Sequence, residues 1–122
     1  MAVKILIIDD DPRNIFALAA TLKSKGFQCL SSTLATEGIE LLRQDNTIKI
    51  VLLDMMMPEM DGYEALEIIR SDHRIAHVPV IAVTAQAMTG DREKCLKAGA
   101  KDYISKPVDV DKLMAVISSH VS

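Results

Sequence analysis

Five short apolar runs, each followed by a stretch of helical periodicity, constrain this chain more than any other feature of it. The runs are Val3 to Ile8, Phe27 to Ser31, Ile48 to Leu53, Pro79 to Val83 and Asp102 to Ile104, and they read as strands. The first, third and fourth are continuously apolar rather than alternating, the pattern of strands buried on both faces. A sheet covered by helices above and below is therefore expected. Repeated βα units of this length call for parallel strands joined by right-handed crossovers.

The helices are legible from spacing and punctuation. Pro12 stands where a helix start tolerates it, because its missing N–H has no partner there to lose. Ile15, Leu18, Ala19 and Leu22 then fall on one face, and Gly26 ends the run. A second helix is predicted from Leu34 to Gln44, weakened by Gly38. Asp61 precedes Gly62, Tyr63 and Glu64 as a variant capping box, opening a helix that turns Leu66 and Ile69 inward. A fourth runs to Ala98 and stops at Gly99, and a fifth, with Asp109 as N-cap, carries Val110, Leu113, Met114 and Ile117 on one side. The fold class expected is α/β: a flavodoxin-like, doubly wound, five-stranded parallel sheet in the order 2-1-3-4-5, with five helices. One domain spanning 1–122 is long enough for a single core and too short for two.

Charge and composition exclude several classes. Fourteen basic residues face seventeen acidic ones, so no basic field exists to attract nucleic acid. The apolar runs are far too short to cross a bilayer. Cys29 and Cys95 lack a metal-ligand spacing, and no signal peptide precedes them, so two reduced thiols in a cytoplasmic protein are expected. Neither a G-x-G-x-x-G nor a Walker A pattern occurs.

In sheets of this kind, ligands bind beyond the carboxyl ends of the strands. The first strand ends in Asp9, Asp10 and Asp11, the third in Asp54, the fourth in Thr84, and the fifth runs into Lys106 and Pro107. Two unit charges about 4 Å apart repel by roughly 4 kcal/mol at an effective dielectric of 20. Relief comes from protonation, from Lys106 or from a divalent cation, and hard oxygen ligands with room for phosphate suit Mg²⁺. Asp11, just before Pro12, is explained by helix capping alone. A cap does not explain Asp9, Asp10 and Asp54 together.

These residues resemble the response-regulator receiver domain of two-component signalling. The resemblance runs over the whole chain and is carried by the stretches Ile5 to Pro12, Leu53 to Gly62 and Tyr103 to Pro107. Chemotaxis receivers are themselves a standard example of the 2-1-3-4-5 order, so the resemblance implies that order too. It further implies that Asp54 is the phosphoacceptor, taking a phosphoryl group from a phosphohistidine in a Mg²⁺-dependent reaction. Asp10, Asp54 and the main-chain carbonyl of Met56 would ligate Mg²⁺ directly, and Asp9 through a water. Lys106 would pair with a phosphoryl oxygen, Thr84 would close on the group, and Tyr103 would move inward behind it. The Lys106–Pro107 bond is expected to be cis. Partners would be a histidine kinase or a histidine phosphotransfer protein, with an effector on the face formed by helix four, strand five and helix five. Such a domain is a phosphorylated signalling module rather than an enzyme, losing its phosphoryl group by intrinsic hydrolysis.

Several positions have plainer readings. Met55, Met56 and Met57 are poor Mg²⁺ ligands and suit packing, with Met56 also expected to screen the acyl phosphate from water. Gln86 holds a comparable place two residues after Thr84. His73, His77 and His120 are scattered and expected to be exposed. Two other functions compete. A haloacid-dehalogenase-type phosphatase would read Asp9-Asp10-Asp11 as its D-x-D motif, with Thr84 and Lys106 as partners, although it lacks a late acid pair and a cap region. A pseudo-receiver would be an interaction module that is never phosphorylated. The chain ends soon after its fifth helix, so no output domain is expected.

Overall fold

The structure is a computed structural model that describes residues 3–58, 60–85 and 90–121. Five strands, β1 (Lys4–Ile8), β2 (Gln28–Ser32), β3 (Ile48–Asp54), β4 (Val80–Thr84) and β5 (Asp102–Ser105), alternate with five helices. The helices are α1 (Pro12–Ser24), α2 (Ala35–Gln44), α3 (Gly62–Ser71), α4 (Asp91–Ala98) and α5 (Val110–His120). All strand pairs are parallel, in the order β2-β1-β3-β4-β5. Boundaries differ from the sequence reading by a residue or so; β3 and β4 each run one residue further, through Asp54 and Thr84.

The continuous apolar runs resolve into two cores. Successive strand side chains point to opposite faces, so Leu6, Ile8, Val51 and Leu53 pack with Ile39, Leu42, Leu66 and Ile69 from α2 and α3. Ile5, Ile7, Ile50 and Leu52 pack on the other side with Leu22 of α1 and Leu113 and Ile117 of α5. Polar residues along these strands would leave one layer of helices without a surface to cover.

Capping follows the chemistry of the first turns. The Asp11 side chain accepts from the Arg13 N–H at 2.9 Å, Asp61 from the Glu64 N–H at 2.9 Å, and Asp109 from the N–H groups of Asp111 and Lys112. Gly38 has a role that its low helix propensity conceals. A Cβ there would lie 2.5 Å from the Ile8 Cδ1, so its bare backbone is what lets α2 lie on β1. Among the histidines, His73 and His77 are exposed. His120 departs from expectation: its ring lies 3.2 Å from the Asp102 carboxylate, drawn in because α5 ends over β5.

Candidate functional site

Strand register brings the site together. Ile8 aligns with Leu53, so the next residues on each strand, Asp9 and Asp54, stand side by side. Asp54 aligns with Val83, and Thr84 with Ser105, which brings Thr84 and Lys106 to the same end of the sheet. Main-chain bonds hold these ends: Asp9 N–H donates to the Ser32 carbonyl at 3.1 Å, Met55 N–H to Val83 at 3.0 Å and Lys106 N–H to Thr84 at 2.8 Å. The Lys106–Pro107 peptide bond is cis.

Asp9 and Asp54 are nearly inaccessible, at 2% and 4% exposure, while Asp10 is exposed. Carboxylate oxygens of all three lie within 4.8 Å of one another. The Lys106 ammonium sits between two of them, 3.2 Å from Asp9 Oδ2 and 3.5 Å from Asp54 Oδ2. Asp9 Oδ1 accepts from the Asp11 N–H at 2.9 Å, and Asp54 Oδ1 from the Met56 N–H at 3.0 Å. Among the described contacts, three carboxylates thus meet one ammonium and two amide donors. Burial pushes the Asp54 carboxyl up to about 6, opposed by the Met56 N–H and reinforced by the charge of Asp9. Burial works against the charge on Lys106, but Asp54 and Asp9 outweigh it and hold the ammonium above its ordinary value. One more positive charge would complete this cluster. Hard oxygens from three carboxylates, one of them open to solvent, fit Mg²⁺ better than any softer metal.

The remaining expected residues fall around this centre. Thr84 is buried at 2% exposure, and Tyr103 is half-buried against the core beneath α2, α3 and α4. Met55 and Met57 are buried packing residues, whereas the Met56 side chain is 50% exposed beside Asp54. Gln86 lies outside the described residues. Asp11 stands apart from the acid cluster, capping α1 and pairing with Arg13 at 3.3 Å. A D-x-D reading would need it within the cluster.

Two features escaped the sequence reading. Gly62 is wedged against Met55, where a Cβ would come 2.6 Å from the Met55 Cα; the only signal was a small residue following an N-cap. Beside Lys106, a groove of about 220 Å³ is lined by Leu18, Thr21, Pro107, Val108 and Val110. On α1, Phe16 is 77% exposed. Their prominence could not be read from a helical pattern whose inward face was already complete without Phe16.

The fold is a doubly wound α/β module with an acid cluster and a lysine at the carboxyl end of its sheet. Residues 5–118 match the response regulator receiver domain family, and the chain belongs to that family. It is 31% identical over 121 residues to the polar-differentiation response regulator DivK of Brucella ovis, covering 99% of this chain and 98% of the relative. The receiver domain of a sensor histidine kinase from Pseudomonas aeruginosa, solved with a magnesium ion coordinated in its active-site cleft, is 32% identical. It superposes with a TM-score of 0.89 and covers 98% of each chain. The chemotaxis protein CheY4 of Vibrio cholerae, at 18% identity and covering 99% of this chain and all of its own, shares the fold with a TM-score of 0.90. Receiver domains are signalling modules of two-component systems that interact with histidine kinases or phosphotransfer proteins and with effectors. No described helix is long and apolar enough to cross a membrane.

Proposed function

We propose that Asp54 accepts a phosphoryl group from a phosphohistidine of a histidine kinase or histidine phosphotransfer protein. The observation that carries this reading is the state of Asp54 itself. It is buried, anchored through one oxygen by the Met56 N–H, and faces the Lys106 ammonium with the other. Its Oδ atom forms the new O–P bond as the donor's N–P bond breaks, and the imidazole leaves with the electron pair. Such transfer spreads charge over three equatorial oxygens, so positioning and electrostatic stabilisation supply most of the catalysis. Lys106 need only swing from Asp9 toward the incoming phosphoryl group to pair with one of those oxygens. Asp10, Asp54 and the Met56 carbonyl would hold Mg²⁺, with Asp9 acting through a water. When bound, the ion would supply the second positive charge that the transferring group requires.

The acyl phosphate carries nearly two negative charges where Asp54 carried one, along with three strong acceptors. The Thr84 hydroxyl would turn to one of them, and Tyr103 would move into the space behind it. That rearrangement would alter the face formed by α4, β5 and α5, where an effector would bind. The donor must cover the rim around Asp54, and the groove lined by Lys106, Pro107 and Val108 offers apolar surface beside it. Autodephosphorylation by water would end the signal, slowed by the Met56 side chain. Cys29 and Cys95 are free thiols, in keeping with a cytoplasmic setting.

The test is transfer from a ³²P-labelled phosphohistidine donor with and without Mg²⁺, followed by mapping of the labelled residue. Label on Asp54, absent from Asp54→Asn and abolished by EDTA, is expected. Label on Asp9, or full labelling of Asp54→Asn, would overturn the assignment. An inert protein that binds neither Mg²⁺ nor beryllofluoride would be a pseudo-receiver.

A further inference from the structure

Helix α4 is held to the fold by little apolar contact. Of its eight residues only Cys95 is buried, and it lies between two left-handed glycines, Gly90 at φ 92° and Gly99 at φ 119°. Beside its packing on β5, side-chain ties join it to α3. The Tyr63 hydroxyl lies 3.7 Å from the Cys95 Sγ, and the Lys94 ammonium stands 4.6 Å above the centre of the Tyr63 ring. Arg70 adds only a long bond of 3.4 Å to the Lys97 carbonyl. Burial raises both the Tyr63 phenol, pushed up to about 12, and the Cys95 thiol, so both are neutral at physiological pH and meet as weak donor and acceptor. Among the described residues, the buried Oδ2 of Asp91, in the first turn of α4, has no hydrogen-bond partner. An unsatisfied buried carboxylate oxygen opposes the packing that buries it, so this placement of α4 carries a penalty that displacement would relieve.

Tyr63 is also joined to the site. It follows Gly62, whose N–H donates to the Met55 carbonyl at 3.1 Å and beside which Met55 leaves no room for a Cβ. Met55 in turn follows Asp54. Four covalently or tightly packed residues therefore connect the site carboxylate to the ring on which Lys94 rests.

We propose that Tyr63 is a latch that holds α4 in its resting position and couples that position to the loop that follows Asp54. A displacement of this loop moves Gly62 and Tyr63 together, because no slack separates Gly62 from Met55. The ring then leaves Lys94 and Cys95, and α4 pivots on Gly90 and Gly99. The coupling half rests on the phosphoacceptor reading above; the holding half does not.

Amide hydrogen exchange of residues 91–98 tests both, in the full chain. In EDTA, Tyr63→Leu should speed exchange there roughly three- to tenfold with the strands unaffected, as loss of a cation–π contact and a weak hydrogen bond implies. Lys94→Gln, a surface change that leaves the core intact, should give a smaller increase. Tyr63→Phe, which keeps the ring beneath Lys94, should fall between wild type and Tyr63→Leu. Exchange in Tyr63→Leu and Lys94→Gln equal to wild type would overturn the latch. With Mg²⁺ and beryllofluoride, wild-type α4 should exchange faster, and Tyr63→Leu should show less than half that further increase. Equal increases in both proteins would overturn the coupling. A missing fluorine resonance from bound beryllofluoride would instead count against the phosphoacceptor reading, while exchange in EDTA would still decide the latch.

Discussion

Replacing Asp54 with Asn should stabilise the metal-free protein, although it removes the residue on which the proposed function depends. Asp54 is buried at 4% exposure and its carboxyl is raised from 3.8 to about 6. At about 1.4 kcal/mol for each tenfold change in proton affinity, ionising it in the folded state costs roughly 3 kcal/mol more than in the unfolded chain. Asparagine has the shape of the neutral acid and avoids that penalty. The gain at pH 8 should be about 1 to 3 kcal/mol, the lower end applying if the amide turns an N–H toward Lys106. For a chain of this size that is a rise in Tm of roughly 4 to 10 °C. The sign with pH follows from proton affinity. The folded protein holds this proton more tightly than the unfolded chain does, so protonation favours the fold. The advantage of Asp54→Asn should therefore hold nearly level from pH 8 to a little above 6, shrink as pH falls from about 6 toward 4, and vanish near 4. Thermal unfolding of both proteins in EDTA at a series of pH values measures the difference, which cancels the three histidines common to both. An Asn variant no more stable than wild type at pH 8, or an advantage that does not change between pH 8 and 4, would refute the electrostatic account of the site.

Magnesium should raise the Tm of the wild type and leave that of Asp54→Asn nearly unchanged, and Asp10→Asn should weaken Mg²⁺ binding at least about tenfold by titration calorimetry. Met56→Asn should speed loss of phosphate from the labelled protein by roughly three- to tenfold, since a half-exposed apolar side chain beside Asp54 gives way to one that can hold water. An unchanged or slower rate would remove its screening role. Gly62→Ala should cost about 1 to 3 kcal/mol in urea unfolding, because the new Cβ meets Met55 backbone. Gly38→Ala should cost less, since its Cβ meets only the Ile8 side chain and the helix gains about 1 kcal/mol in propensity.

The linear order of residues was sufficient for the architecture. Unbroken apolar runs at Ile5 to Ile8 and Ile48 to Leu53 require cover on both faces, and βα alternation then leaves few topologies. It also placed Asp9, Asp10, Asp54, Thr84 and Lys106 at strand ends, because polar residues closing apolar runs mark where the sheet meets solvent. Tertiary structure decided what spacing along the chain cannot express. Lys106 lies within 3.5 Å of both Asp9 and Asp54, although nearly the whole sequence separates it from Asp9. Gly38 and Gly62 are small because Ile8 and Met55 occupy the space a side chain would need, and Tyr63 meets α4 only because α3 and α4 pack side by side. Strand and helix follow from local periodicity, which neighbouring residues carry. Contacts between distant segments depend on register and packing, which exist only once the sheet has formed.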